Sequence, residues 1–299
     1  MLSLHTNNAT LSAQNSISKT QSSLSTSMTR LSTGYRINSA MDDAAGLQIA
    51  TRLKAQTSGM AVAMRNTQNS VSMLQTAEGA LSEVTNILTR MKDLATQSAD
   101  GSSSAADRTA MQSEYDALTD EMTNIVGNTS FGGTTLLSTK SDSKLNASID
   151  FQIGASASEK MTLDLSSGGT AALSGMHTKL GAVATVHTFG ADGTLGSGTG
   201  TAISTATLAN GAITKLSDAI DSVATVRSSL GAAANRLDHV YNNLSNISSN
   251  TEAASGRIMD VDFATESAKM TSNQMLMQAG TAMLKQSNSM SSMVMSLLQ

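Results

Sequence analysis

The chain has 299 residues with no Pro, no Cys and no Trp, 2% aromatic residues and 19 Met. Without Cys there is no disulfide framework, thiolate zinc site, iron–sulfur cluster or thiol nucleophile, and three Tyr with four Phe offer no stacking platform for single-stranded nucleic acid. Nineteen Lys and Arg against 23 Asp and Glu give a net charge of −4, which leaves no basic footprint for nucleic acid or an anionic membrane.

Pro ordinarily makes up about 5% of a chain. Its absence permits very long uninterrupted helices, because Pro removes a helix N–H and clashes with the preceding turn. Charged residues reach 14%, against a usual value of about 25%. The shortage of aromatic side chains favours thin bundles packed by Leu, Ile, Val, Ala and Met over a thick core. No apolar run reaches the roughly 18 residues of a membrane-spanning helix. Met1–Thr20 shows no basic leader followed by an apolar run. No secretory signal peptide is therefore readable, and composition by itself points to the cytoplasm.

In chain order, residues 1–29 carry a single charge, Lys19, yet Ile17, Leu24 and Leu31 recur every seven residues. From Val71 the apolar positions Leu74, Ala77, Leu81, Val84, Leu88, Met91 and Ala95 step by three or four, which predicts one helix face. Asp100-Gly101 ends that helix. Met111, Tyr115, Leu118, Met122 and Ile125 predict a second helix, with Gly127-Asn128 as its glycine stop. Residues 128–205 are rich in Gly, Ser and Thr. Within them, Phe151-Gln152-Ile153 and Met161–Leu165 alternate like two half-buried strands and predict a β-hairpin joined through Gly154–Lys160. Residues 166–205 read as loops or small turns. From Ile213 to Ile258 the apolar positions again step by three or four, a helix of roughly 70 Å that must pack against 71–125 in an antiparallel bundle.

The last thirty residues carry one charge, Lys285, with Leu276, Met283, Met290 and Leu297 seven apart and Gly280, Ser287 and Val294 four residues after the first three. That is a heptad seam. Nearly uncharged amphipathic ends predict burial inside an assembly, where the ends pair with each other and with copies of themselves, because a small neutral polar residue can be covered without desolvating an ion. Helices of this kind, marginal alone in water, are expected to fray in the monomer and order on assembly.

Little points to catalysis. Ser39-x-x-Asp42 reads as a capping box, so Asp42-Asp43 needs no acid/base role. The four His (5, 177, 187 and 239) have no metal-ligand spacing, and Gly196–Gly200 lacks the Lys-Ser/Thr ending of a phosphate loop. No Gly-x-Ser-x-Gly elbow is present. No enzyme, cofactor or metal is expected. Seven of the 19 Met fall in 270–299, which fits adaptable packing, since Met re-packs easily.

Leu31-Ser32-Thr33-Gly34-Tyr35-Arg36-Ile37-Asn38-Ser39-Ala40-Met41-Asp42-Asp43-Ala44-Ala45-Gly46-Leu47 closely resembles the N-terminal signature of bacterial flagellins, as does Gln75–Leu81. Arg257–Glu266, Gln278-Ala279-Gly280-Thr281 and Ser296-Leu297-Leu298 resemble the C-terminal motifs. The likeness covers roughly 1–165 and 207–299. One departure is Asn288-Ser289-Met290-Ser291-Ser292, where flagellins usually carry a Pro; the last helix is expected to run straight through. The opening Leu2–Asn7 is similar to lateral flagellins.

The resemblance implies a mainly α fold: a long antiparallel bundle with a terminal coiled coil and a small β-hairpin region. It implies an inner coiled-coil domain of 1–43 plus 256–299, a bundle of 44–165 plus 207–255, and a short variable segment, 166–206, with plausible O-glycosylation positions. The implied function is the structural subunit of the flagellar filament, extracellular and exported without a cleaved signal peptide. A hook–filament junction protein and a secreted helical adhesin or immune ligand are the alternatives. Implied partners are further copies of the chain, the export apparatus and its chaperone, and the cap and junction proteins. The expected polymerisation seam is Ile17, Leu24, Leu31, Leu276, Met283, Met290, Val294 and Leu297. Arg90–Ala99 resembles the segment bound by the host Toll-like receptor for flagellin, which implies a contact through Arg90, Leu94, Gln97 and Glu114.

Overall fold

The computed structural model describes residues 8–138, 143–165, 172–184 and 200–297, with side chains described as far as 290 except at 9 and 172. Six helices dominate: α1 (Asn8–Thr33), α2 (Ala44–Ala99), α3 (Ala105–Asn128), α4 (Ala172–Val183), α5 (Ala206–Met259) and α6 (Phe263–Leu297). Two small antiparallel hairpins lie between α3 and α4. β1 (Ser130–Phe131) pairs with β2 (Thr134–Thr135) around Gly132 and Gly133, whose φ values of 58° and 82° make the turn. β3 (Ile149–Gln152) pairs with β4 (Lys160–Leu163), with Phe151 opposite Met161. The predicted hairpin is therefore present, and β1–β2 was not foreseen.

The chain divides into two compact units, residues 1–57 with 249–299, and residues 58–248. The second holds the main core. Leu74, Leu81, Val84, Leu88 and Met91 of α2 pack with Tyr115 and Met122 of α3 and with Leu216, Val223, Val226, Leu230 and Leu237 of α5. Their three- and four-residue steps are the predicted ones, because that spacing keeps one stripe facing inward. Pairs between α2 and the segment of α5 with its approach run in opposite directions: Ser98 Oγ donates to the carbonyl of Ile203, just before α5, and Arg227 meets Glu78 at 3.5 Å.

Three local expectations are corrected. Residues 172–183 form α4 rather than loops, and Leu173, Met176, Leu180 and Val183 are buried in the main core. These positions are three, four and three apart, a helical stripe that Gly175 and Gly181 obscure in the sequence. Tyr115 Oη donates to the Val183 carbonyl at 3.2 Å and fastens the end of α4 to α3. Gly127 lies inside α3 without a positive φ; the helix ends at an extended Thr129 whose N–H reaches the Ile125 carbonyl. Ser39 and Asp42 do not open a helix. Asp42 closes the preceding turn, accepting from the N–H groups of Asn38 and Ser39, while Asp43 caps α2 by accepting from Gly46 N at 2.9 Å. His5, His187 and most of Gly196–Gly200 fall outside the described residues.

Candidate interaction surface

Within the first unit α1 and α6 lie side by side, antiparallel. Thr10 and Ser287 share a hydroxyl–hydroxyl bond of 3.0 Å. A Cβ on Gly280 would stand 2.8 Å from Ile17 Cγ1, so the helices touch where α6 has no side chain. Farther along, Ser27 Oγ donates to Glu266 Oε1 at 2.7 Å. Leu24 is buried in this pairing and Ile17 and Leu31 are half-buried, so the predicted α1 stripe faces α6.

Glu266 is the one carboxylate sealed into the pair, its side chain 5% exposed, with Lys269 Nζ at 3.5 Å and Arg30 Nη1 at 4.0 Å. Arg30 also reaches Asp42 at 3.7 Å. The Ser27 hydroxyl, then Lys269 and Arg30, hold the Glu266 carboxyl below its usual range against the opposing pull of burial. A hydroxyl-lined groove of about 390 Å³ runs beside it, bounded by Ser22, Ser23, Thr26 and Ser272.

The two segments that carry the family signature meet here. Gly34, at φ 76°, ends α1 as left-handed glycines do. The chain then pairs antiparallel with the end of α5 through Tyr35 and Asp260. Arg36 N donates to the Met259 carbonyl at 2.6 Å, Val261 N to the Gly34 carbonyl at 3.0 Å, and Arg36 Nη2 to the Ile258 carbonyl at 2.9 Å. Ile37 is fully buried beside Gly46. Asp262 caps α6 by accepting from Ala264 N at 3.0 Å. The spacing of either motif alone does not reveal that they close one joint.

The remaining seam positions divide. Leu276, Met283 and Met290 are 58%, 68% and 59% exposed. They form a stripe beside the face that Gly280, Leu284 and Ser287 turn toward α1. The side chains of Val294 and Leu297 lie outside the described residues. α6 does run unbroken through 288–292, as expected.

Several hydroxyls on α1 are satisfied within the helix. The hydroxyls of Ser16, Thr20, Thr26, Thr29 and Thr33 each donate to the backbone carbonyl four residues earlier. Covering these five hydroxyls strands none of their donors, so they can enter an interface at little desolvation cost.

The second predicted cluster is brought only partly together. Arg90 donates through Nε and Nη2 to Glu114 Oε1 at 2.9 and 2.7 Å, and Gln97 is exposed nearby on the same helix. Leu94 is 2% exposed and belongs to the main core. Its assignment as a surface contact is corrected: position 94 falls on the buried side of the boundary of the α2 stripe. Neither the heptad spacing nor the motifs mark Glu266 and Ser27 as partners. The available signal was Arg30 on one end helix and the neighbouring Glu266 and Lys269 on the other, among few other charges. Among the described residues, no group of three or more His, Asp or Glu is placed to hold a metal ion, and no helix is long and apolar enough to cross a membrane.

The family model for the bacterial flagellin N-terminal helical region matches residues 4–142, and that for the C-terminal helical region matches 213–298. The flagellin of Bacillus subtilis is 38% identical over 301 aligned positions, covering 98% of both chains. Flagellin B of Vibrio anguillarum is 34% identical over 378 positions, covering 99% of both. A solved structure of a flagellar hook-associated protein from Vibrio parahaemolyticus superposes with a TM-score of 0.53 at 18% identity, over 73% of this chain and all of that one; similarity at that level shows the fold alone. The full-length matches favour neither a junction protein nor an adhesin. With the paired end helices, the joint made by both signature segments and full-length relatives above 30% identity, the chain belongs to the bacterial flagellins, the structural subunits of the flagellar filament.

Proposed function

We propose that the α1–α6 pair is the polymerising element of this subunit. Ile17, Leu24 and Leu31 seat α1 on α6, while Leu276, Met283 and Met290, continued in sequence by Val294 and Leu297, dock on further copies of the chain. One observation carries this reading: α6 exposes apolar side chains at seven-residue spacing while Lys285 is its only charge beyond residue 270. Each such side chain gains about 1.5–3 kcal/mol when covered, and the seven-residue repeat gives a facing helix a continuous seam. The self-bonded hydroxyls of α1 support a second covered face.

The subunit acts outside the cell in this reading. It leaves uncleaved and unfolded through the flagellar export apparatus with a chaperone, and adds beneath the filament cap onto junction proteins. A chain without Cys has no disulfide to undo before passage. The host Toll-like receptor for flagellin engages the exposed Arg90, Gln97 and Glu114, with Leu94 as the core residue beneath them.

The test is reassembly after acid dissociation and neutralisation, followed by sedimentation and negative-stain microscopy. The pair Leu276→Asp and Met283→Asp should leave the helix content of the monomer intact and abolish filaments. Filaments of normal yield from that variant would overturn the seam.

A further inference from the structure

We propose that the thioethers of Met275, Met283 and Met290 form an oxidation-sensitive site that decides whether a free subunit can join the polymer. This site depends on the seam proposed above, and a contrast inside the chain marks it. Met60, Met91, Met122, Met161 and Met176 are buried in the cores, where an aqueous oxidant does not reach the sulfur. Met275, at 60% exposure, joins Met283 and Met290 on the open side of α6. Three accessible thioethers thus lie on the helix that carries the exposed seam, with Met28 of α1 and Met41 the other exposed methionines among the described residues, while the methionines that hold the fold together are shielded.

The co-reactant is a hydroperoxide. A sulfur lone pair attacks one peroxide oxygen, the O–O bond breaks and an S–O bond forms. The departing oxygen leaves as alkoxide, or as hydroxide from hydrogen peroxide, and takes the proton from the oxygen now bound to sulfur, giving sulfoxide and an alcohol or water, so sulfur is oxidised by two electrons and the peroxide reduced by two. The sulfoxide carries a strong dipole where the thioether was apolar. In the free subunit that dipole is hydrated. Against the facing helix of a second copy it must be desolvated without a partner. The modified side chains contribute little to the folded core, so oxidation acts on association and leaves folding intact. Because sulfoxides can be reduced enzymatically, the block is reversible.

One experiment separates this inference from the seam reading. Free subunit is oxidised partially with hydrogen peroxide and induced to assemble, polymer is sedimented, and sulfoxides are located in pellet and supernatant by peptide mass spectrometry. Sulfoxide at positions 275, 283 and 290 should be enriched roughly tenfold or more in the supernatant. Sulfoxide at the exposed Met41, off α6, should divide evenly. The circular dichroism of the oxidised monomer should be unchanged, and methionine sulfoxide reductase should return the supernatant to polymer. Even division at every position, with normal assembly of untreated protein, overturns the oxidation site and leaves the seam standing. Lost helix content with sulfoxide at the core methionines also overturns it. Untreated protein that forms no polymer overturns the seam itself.

Discussion

Glu266 joins the two end helices through one short bond from Ser27, with Arg30 and Lys269 as neighbouring charges. These contacts favour the carboxylate, so the folded pKa lies below the unfolded one. The stability it supplies is complete above the ordinary carboxylate range and is lost as pH falls through the lowered value. Acid titration of the monomer by circular dichroism should show a limb below pH ~4 that Glu266→Gln flattens; matching acid limbs would rule out this role. Ser27→Ala should cost about 1.5–3 kcal/mol, the usual loss for a hydrogen bond to a charged group. At the second cluster, Leu94→Ala should lower stability by about 2–5 kcal/mol, because it leaves a cavity. Arg90→Ala, which breaks an exposed pair, should cost under about 1 kcal/mol. Receptor signalling from monomer should fall in Arg90→Ala without a shift in melting temperature; unchanged signalling would remove Arg90 from the contact. The sequence showed that Arg90, Leu94 and Gln97 share a helix face, but not where the buried edge cuts that face.

At the scale of elements, α1 and α6 meet most closely at Gly280 and Ile17. Gly280→Val should weaken the pair by about 1–3 kcal/mol through overpacking. Shortening the neighbour, in Gly280→Val with Ile17→Ala, should recover part of the loss, since contacting residues couple. Additive effects in thermal melts would place the approach elsewhere. The heptad pattern identified both end helices from sequence. It did not divide the α6 positions between an inner partner and an open side, because Leu276 and Gly280 lie only one turn apart on adjacent strips of the helix. α4 was the opposite case: its stripe is legible residue by residue, but two glycines and a Gly-rich surround outweighed it.

For the whole molecule, the distribution of burial sets local stability. The unit of residues 58–248 holds a long continuous core, whereas the other unit buries few apolar side chains, Leu24, Ile37 and Ala50 among them. Opening energies follow such differences. Hydrogen exchange on the monomer should show amides of α1 and α6 exchanging orders of magnitude faster than those at Leu81–Met91 and Leu216–Leu237, with protection of the end helices on polymerisation. Equal protection in monomer and polymer would show that assembly adds no order to the ends.

The sequence by itself determined the helices other than α4, their apolar stripes, the β3–β4 hairpin and the family, because periodicity and extended motifs are local properties that survive without coordinates. Missing Pro left α2, α5 and α6 free to run uninterrupted, and α6 continues through 288–292. Tertiary structure decided what local patterns cannot contain. It brought Tyr35 to Asp260, sealed Glu266 under Ser27, sank Leu94 into the core and left Met283 in the open. Each of these depends on which neighbour arrives from a distant part of the chain, and helical spacing fixes only the face a residue occupies, not what covers it.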